Sequence, residues 1–197
     1  MYILRPQRIA TLSLSNFLRS KYLFHFSKPV ADRALLKAIH GQPIRAIVEI
    51  GVGTGDRTRK ILEVTGWTAG DAPRKYTGID LFEARPQGDK GLALKEAFNT
   101  LKTPNVKMQF VPGDPYQALA RTANMLAGSD LIVLSADLDQ DSLRRAWMYV
   151  PRMLTESTLI YQQGPAVNGE PGAYQQLSRL EVERLAAAGS KKQRKVG

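Results

Sequence analysis

The stretch VEIGVGTGD, residues 48–56, joins an apolar run to three glycines at alternate positions, and a helical pattern follows it. A strand, a glycine-rich turn and a helix in this order are typical of α/β folds that bind a ligand at the turn. The glycines let the chain turn sharply and let a ligand approach the backbone with no Cβ in the way. The helix from about Arg57 would then offer its unpaired N–H groups to that ligand.

Five short runs of apolar, β-prone residues alternate with amphipathic segments along the chain. They are RAIVEI (45–50), KYTGIDL (75–81), VKMQFV (106–111), DLIVLS (130–135) and STLIYQ (157–162). Near-continuous apolar character predicts strands that are buried on both faces of a parallel sheet. Between the last two runs, the apolar period over residues 143–154 predicts one helix, which Pro151 kinks or ends. Strands that alternate with helices predict right-handed crossovers and a doubly wound α/β sheet.

The C-terminal segment carries the signals of a helix followed by a tail. Ser178 and Glu181 form the S-x-x-E pattern of a capping box, and Gly189 stands where a helix would stop. We therefore predict a helix from about Arg179 to Ala188. The chain then divides into an N-terminal extension or lid (1–29), one domain (30–189) and a basic tail (190–197).

Composition narrows the class of protein. The 197-residue chain is long enough for one domain with a real core, and it contains no cysteine. No apolar run is long enough for a membrane span or resembles a secretory signal. We expect a cytoplasmic protein with neither disulfides nor a cysteine-based zinc site.

The net charge of +10 is concentrated at the two ends of the chain. Residues 1–45 hold eight Lys or Arg side chains against the single acid Asp32, and the last nine residues hold four basic side chains and no acid. The remaining residues are close to neutral. Basic ends of this kind bind an anionic partner, such as nucleic acid or an acidic surface, or remain solvated.

The residue at position 56 separates two kinds of nucleotide-binding turn. A dinucleotide fold uses G-x-G-x-x-G, which, counted from Gly51, requires a glycine where this chain has Asp56. A carboxylate at the start of the helix would repel a pyrophosphate where the dinucleotide fold depends on attraction. We therefore expect a ligand without phosphates, which weakens the interpretation as an NAD-linked oxidoreductase.

The segment EIGVGTG, residues 49–55, resembles E-x-G-x-G-x-G, the first motif of the class I S-adenosylmethionine (SAM)-dependent methyltransferases. The resemblance covers about residues 30–163 and implies a three-layer, mainly parallel Rossmann-like sheet of order 3-2-1-4-5. It implies SAM as the cofactor, with the amino-acid part of SAM on four turn residues: Gly51, Gly53, Thr54 and Gly55. The first acid of the motif, Glu49, would orient the turn or the methionine amino group.

Residues at successive strand ends extend the resemblance. Asp80 ends the second strand 25 residues beyond Gly55, near the spacing at which nucleoside-binding folds place an acid for the ribose hydroxyls. The resemblance also implies the contacts to the adenine: Asp114 for its amino group, Pro115 on one face, and Leu81 or Phe82 on the other. Ser135, at the end of the fourth strand, would complete the cofactor contacts.

The same strand ends imply that no metal is bound. In family members that use magnesium, an acid ends the fourth strand and an Asp-Asn pair ends the fifth, where this chain has Ser135 and Gln162-Gln163. Neutral groups hold a hard divalent cation poorly. Asp137, Asp139 and Asp141 follow, but the run lacks the glycine and the distal glutamate of a calcium loop, so we expect Asp141 to cap a helix and complement its dipole.

Beyond the cofactor motifs, the sequence leaves several points open. No motif identifies the base that takes the acceptor's proton, and the candidates are Asp137, His25, His40 and Tyr161. The aromatic cluster around His25 would be either a lid over the acceptor or a helix packed on the sheet edge. Residues 1–29 also have the composition of a mitochondrial transit peptide, although a substrate-covering extension fits equally. After the fifth strand only residues 164–197 remain, so we expect a truncated or rebuilt sheet edge.

The sequence therefore predicts a metal-independent, SAM-dependent methyltransferase whose acceptor is a small molecule or RNA. The basic ends favour an anionic acceptor. Three alternatives remain: a protein that binds SAM or S-adenosylhomocysteine (SAH) without catalysis, an NAD-linked oxidoreductase, and a structural or nucleic-acid adaptor.

Overall fold

The computed structural model describes residues 14–66 and 73–193. The helices are α1 (Leu14–Phe26), α2 (Asp32–Ile39), α3 (Asp56–Val64), α4 (Leu94–Leu101), α5 (Pro115–Thr122), α6 (Gln140–Ala146) and α7 (Arg179–Gln193). The strands are β1 (Ala46–Ile50), β2 (Arg74–Asp80), β3 (Val106–Pro112), β4 (Ser129–Leu134), β5 (Leu154–Gln163) and β6 (Tyr174–Gln176). Short 3₁₀ segments lie at Phe82–Ala84, Ala123–Leu126 and Trp147–Met153.

The strands form one sheet of order β3-β2-β1-β4-β5-β6. The first five strands are parallel to one another, and β6 is antiparallel to β5. The predicted strands and the predicted 3-2-1-4-5 order of a Rossmann-like fold are therefore confirmed. The expected change at the outer edge takes the form of the three-residue strand β6, which is paired with the end of β5.

Two apolar cores lie on opposite faces of the sheet, because alternate residues of a strand point to opposite sides. Ile47 of β1 belongs to the core shared with α2, α3 and α4, whereas Val48 and Ile50 belong to the core shared with α5, α6 and α7. This three-layer arrangement explains the near-continuous apolar runs. It also places the carboxyl ends of β1 to β4 along one edge of the sheet.

The predicted single helix over residues 143–154 is wrong. Helix α6 ends at Ala146, a 3₁₀ segment that contains Pro151 follows, and Leu154 begins β5. Proline has no N–H group and clashes with an α-helical turn, which favours the tighter 3₁₀ path here. The buried side chains of Leu143 and Trp147 nevertheless keep their contacts in the second core.

The capping box of α7 is confirmed, but the predicted end of this helix is wrong. The backbone N–H of Ser178 donates to Glu181 Oε2 at 2.7 Å, and the N–H of Glu181 donates to Ser178 Oγ at 3.3 Å. The helix continues past Gly189 to Gln193. A Cβ at residue 189 would lie 2.5 Å from the carbonyl oxygen of Arg144, so this glycine permits a close helix contact and does not end the helix.

Helix α1 packs on α2 and α3. Leu23 is buried, and the ring of Phe24 meets the edge of His40 with centroids 5.1 Å apart, whereas Tyr22 and Phe26 are exposed.

The possible transit peptide and the basic tail include residues 1–13 and 194–197, which lie outside the described residues. The domain boundaries at 29 and 190 stay predictions. Among the helices described, none is long and apolar enough to cross a bilayer.

Candidate functional site

The glycine turn after β1 is tightly packed at one end and open at the other. Gly51 has a φ of 89°, and a Cβ there would lie only 2.6 Å from Ser135 Cβ at the end of β4. Gly53 has a φ of 62°, and a Cβ there would meet nothing within 4 Å. The N–H of Gly53 donates to Asp80 Oδ2 at 2.8 Å. The turn therefore leaves room for a ligand above Gly53.

Glu49 lies beneath this turn and is fully buried. Its carboxylate accepts hydrogen bonds from Arg57 Nε at 2.7 Å, Thr58 Oγ1 at 2.7 Å and the Tyr76 hydroxyl at 2.6 Å. A buried carboxylate is stable only with such a set of partners. Glu49 therefore anchors the turn from below and does not line the cavity above it.

Arg57 connects this buried carboxylate to the turn and to the outer edge of the sheet. Its guanidinium donates to the Gly51 carbonyl and, at 2.6 Å, to the hydroxyl of Tyr174 in β6. Burial raises the pKa of the Tyr174 hydroxyl to about 12. Burial alone would lower the pKa of Arg57, but the ion pair with Glu49 and the contact with Tyr174 outweigh it and raise the pKa. No sequence motif identified Arg57.

Asp80 is buried at the end of β2, where the resemblance implies the ribose acceptor. Besides the bond from Gly53, its Oδ2 forms an ion pair with the guanidinium of Arg85. Arg85 Nε is buried without a hydrogen-bond partner among the described residues, and a Cβ at Gly91 would overlap the guanidinium. The loop from Arg85 to Gly91 therefore closes over Asp80. Sequence reasoning missed Arg85, because the contact depends on this loop.

The end of β3 leads directly into the cap of α5. Asp114 accepts the N–H of Gln117 at 3.0 Å and the hydroxyl of Ser142. Burial alone would raise the pKa of Asp114, but the hydrogen bonds from Ser142 and Gln117 lower it below the ordinary value. Asp114 is therefore a good hydrogen-bond acceptor at neutral pH.

An inner cavity of about 90 Å³ lies at the carboxyl edge of β1, β2, β3 and β4. Its lining includes seven of the predicted cofactor residues, namely Gly51, Gly53, Asp80, Leu81, Asp114, Pro115 and Ser135. Of the two predicted apolar neighbours of the adenine, Leu81 lines the cavity, whereas Phe82 packs in the core on Phe110. Gly55 packs beneath leucine side chains of the core.

An outer cavity of about 810 Å³ lies beside the inner one. The two cavities share five lining residues: Gly51, Gly53, Lys90, Ser135 and Asp137. The other walls come from residues 28–32, the first turns of α3 and the loop between β5 and β6, and Thr54 is among them. The rebuilt sheet edge therefore supplies a wall of this space.

Among the candidate bases, Asp137 is exposed and lines both cavities. His25 lies on the exposed face of α1, and His40 contacts the Val64 carbonyl at 3.4 Å, at the opposite edge of the sheet. Tyr161 is buried in the core and donates to Gln176 Oε1 at 3.3 Å, and burial raises its pKa. The histidines and Tyr161 are therefore not placed at either cavity.

The acidic run after β4 serves the start of α6. Asp139 accepts the N–H of Ser142 at 2.6 Å and is the N-cap. Asp141, in the first turn of the helix, forms an ion pair with Arg144. Asp141 is therefore not the N-cap, contrary to the capping part of the prediction, but it lies in the first turn, where its charge complements the helix dipole as predicted. Within residues 14–66 and 73–193, no three acidic, histidine or cysteine side chains are grouped to hold a metal.

Asp56 is the first residue of α3, as the helical pattern predicts. Its carboxylate accepts the hydroxyl of Thr54 at 2.7 Å and pairs with Arg59 at 2.9 Å. The negative charge expected at the start of this helix is therefore present at the wall of the outer cavity, where the cation of Arg59 partly offsets it.

No protein-family model matches the chain, and a comparison with curated proteins gives no significant match. Solved structures of methyltransferases are similar to it. A SAM-dependent methyltransferase from Archaeoglobus fulgidus is 16% identical, over 76% of this chain and 58% of that chain, with a TM-score of 0.47. An O-methyltransferase from Bacillus cereus, in complex with SAH, is 15% identical over 82% and 68%, with a TM-score of 0.49.

The calicheamicin methyltransferase CalS11 is 14% identical, over 83% of this chain and 84% of that chain, with a TM-score of 0.48. The match to the Archaeoglobus fulgidus protein covers only somewhat more than half of that protein's length. At such identities a likeness concerns the fold alone.

Proposed function

We propose that this protein is a SAM-dependent methyltransferase that binds its cofactor at the carboxyl edge of β1 to β4. The observation that carries the proposal is the inner cavity, which gathers a glycine turn, four carboxylates that include Asp80 and Asp114, and apolar side chains that include Leu81 and Pro115. A nucleoside with an uncharged ribose and an adenine ring needs these groups. Ligands of open α/β sheets bind at this edge.

In this proposal, Asp80 accepts the ribose hydroxyls and Asp114 accepts the adenine amino group. The adenine ring lies between Leu81 and Pro115. The methionine part follows the turn past Gly53 and Thr54 toward the outer cavity. Glu49 and Gly55 act on the cofactor only by shaping the turn. The open space above Gly53 and the low pKa of Asp114 support this arrangement.

When bound, SAM would supply an electrophilic methyl group on a sulfonium, with neutral SAH as the leaving group. The walls of the outer cavity orient the acceptor, whose oxygen or nitrogen lone pair forms the new bond to carbon. Asp137 takes the acceptor's proton and passes it to water. The neutral side chains of Ser135 and Gln163 at the strand ends support a reaction without a metal.

Calorimetry with SAM, SAH and NAD tests the proposal. We expect micromolar binding of SAM and SAH, loss of that binding in Asp80→Ala, and no binding of NAD. Asp89→Ala is the matched control, because Asp89 is an exposed acid of the same segment that lines neither cavity. Binding of NAD alone would favour an oxidoreductase, and binding of none of the three would refute a nucleoside site.

A second assay addresses catalysis, which binding alone does not establish. Release of SAH from SAM is measured with a panel of small hydroxyl and amine compounds and with RNA. We expect turnover with at least one acceptor and its loss in Asp137→Asn, which keeps the shape of the side chain but removes the base. Tight SAH binding with no turnover on any acceptor would favour a protein that binds the cofactor without catalysis.

The cytoplasmic location stays a prediction.

A further inference from the structure

The outer cavity is lined by more cationic side chains than form ion pairs. Its charged lining consists of five cations and three acids: Lys28, Arg57, Arg59, Lys60 and Lys90, with Asp32, Asp56 and Asp137. Three of the cations are paired, Arg57 with Glu49 at 2.7 Å, Arg59 with Asp56 at 2.9 Å, and Lys60 with Asp32 at 2.7 Å. Lys28 and Lys90 form no ion pair within the part of the chain that the structure describes.

The two lysines without an ion pair line the same cavity, and both are exposed. Asp137 and Lys90 line both cavities and therefore lie where the two meet. Lys28 lines the outer cavity and stands on the wall formed by the segment before α2. An anionic group near Asp137 alone would be repelled, whereas the same group beside the two ammonium groups is attracted.

We propose that the outer cavity is the acceptor site and that it takes a small molecule with a carboxylate or phosphate group. Lys28 and Lys90 bind the anionic group, and this contact directs a hydroxyl or amine of the same molecule toward Asp137. The inference rests on the proposed function for the identity of the methyl donor. The anion site itself rests only on the cavity and its charges.

The dimensions of the cavity favour a small acceptor over RNA. A volume of about 810 Å³ lies within the range of roughly 300–1,000 Å³ that holds small ligands. Residues 28–32 bound the cavity on one side, and the β5–β6 loop bounds it on another. A long polyanion such as RNA would therefore have to pass over these walls instead of lying along a groove. RNA binding would also require contacts to several phosphates at once.

The first experiment measures the anion site without knowing the acceptor. Inorganic phosphate is titrated into the full-length protein saturated with SAH, at low salt, for the wild type, Lys28→Ala and the double variant with Lys90→Ala. We expect phosphate binding that weakens at least tenfold in the double variant, while the Kd for SAH in Lys28→Ala stays within twofold. Lys102→Ala is the matched control, because Lys102 is an exposed lysine after α4 that lines neither cavity.

The second experiment uses the SAH-release assay with pairs of compounds, each an acid and its neutral amide. We expect kcat/KM to be at least tenfold higher for the acids and this preference to disappear in Lys28→Ala. Absence of phosphate binding, an equal effect of Lys102→Ala, or equal use of the amides would overturn the proposal, as would RNA competing with phosphate for the same lysines. Phosphate binding that needs both lysines in a protein that binds no SAH would retain the anion site and refute the methyltransferase assignment instead.

Discussion

The carboxylate of Asp80 has three donors before any ligand reaches it, one of which is the N–H of Phe82, 3.4 Å from Oδ1. The N–H of Gly53 and the guanidinium of Arg85 both contact Oδ2, and the side chain of Asp80 is only 4% exposed. The inner cavity of about 90 Å³ is also smaller than the roughly 300 Å³ at which ligand pockets begin. A ribose at this site must therefore share Asp80 with Arg85 and displace part of the loop above it.

We predict that Arg85→Ala strengthens SAH binding and lowers the free energy of unfolding of the ligand-free protein. Removing the guanidinium enlarges the inner cavity and frees Asp80 for the ribose, so the Kd measured by calorimetry should fall at least threefold. The free protein should lose about 3 kcal/mol in urea unfolding, because a buried carboxylate then lacks its cation. A higher Kd in Arg85→Ala would instead mean that Arg85 contacts the ligand.

The depressed pKa of Asp114 predicts a pH dependence of stability. The folded protein holds the ionised carboxylate more strongly than the unfolded chain, whose pKa is about 3.9. The contribution is complete above that value and is lost as the pH falls through the lower folded-state pKa. Urea unfolding should therefore show a difference between the wild type and Asp114→Asn that is largest at pH 6–7 and shrinks toward pH 2. A constant difference would contradict this prediction.

At the level of the elements, α7 shows that a glycine after a helical pattern does not always end the helix. Glycine after a helical pattern usually marks the helix end. In α7, Gly189 is buried inside the helix, against the carbonyl of Arg144 at the end of α6. The packing of two helices, which the local pattern does not contain, decided the outcome.

We predict that Gly189→Ala destabilises the protein, although glycine-to-alanine changes usually stabilise a helix. The new Cβ would lie 2.5 Å from a backbone oxygen, so α6 and α7 must separate, at a cost of about 1–3 kcal/mol. Ala188→Gly is the control, since this exposed position should lose only about 1 kcal/mol through helix propensity. Thermal and urea unfolding measure both, and a stabilised Gly189→Ala would refute the close contact.

Across the whole molecule, one buried network joins the glycine turn after β1 to the rebuilt sheet edge. Arg57 reaches Glu49 in β1, the carbonyl of Gly51 in the turn and the hydroxyl of Tyr174 in β6. Strand β6 has only three residues, so this bond adds to a short ladder. The edge that forms a wall of the outer cavity is thereby connected to the turn proposed to hold the cofactor.

We predict that Arg57→Met lowers the free energy of unfolding by about 3–5 kcal/mol, because Glu49 then remains buried without its cation. Tyr174→Phe should cost only about 0.5–1.5 kcal/mol, the value of one hydrogen bond. Both variants should weaken SAH binding, Arg57→Met more strongly, since the Gly51 carbonyl loses its donor. Urea unfolding and calorimetry test this order, and equal effects of the two variants would contradict it.

The amino-acid order was enough to predict the five parallel strands, and the resemblance of residues 49–55 to a family motif implied their 3-2-1-4-5 order and most residues of the inner cavity. The strands follow from local periodicity, and their carboxyl ends meet because parallel strands present these ends at one edge. Residues that follow those ends, such as Asp80, Asp114 and Pro115, must therefore meet wherever the sheet forms.

Other features depended on contacts between segments that are distant along the chain. The pairing of Asp80 with Arg85, the bond from Arg57 to Tyr174, and the two unpaired lysines of the outer cavity leave no local pattern in the sequence. Whether a charged side chain is neutralised depends on which side chains the folded layers bring within a few ångströms. Periodicity can assign a residue to a face of its element, but only the packing of the elements decides its partner.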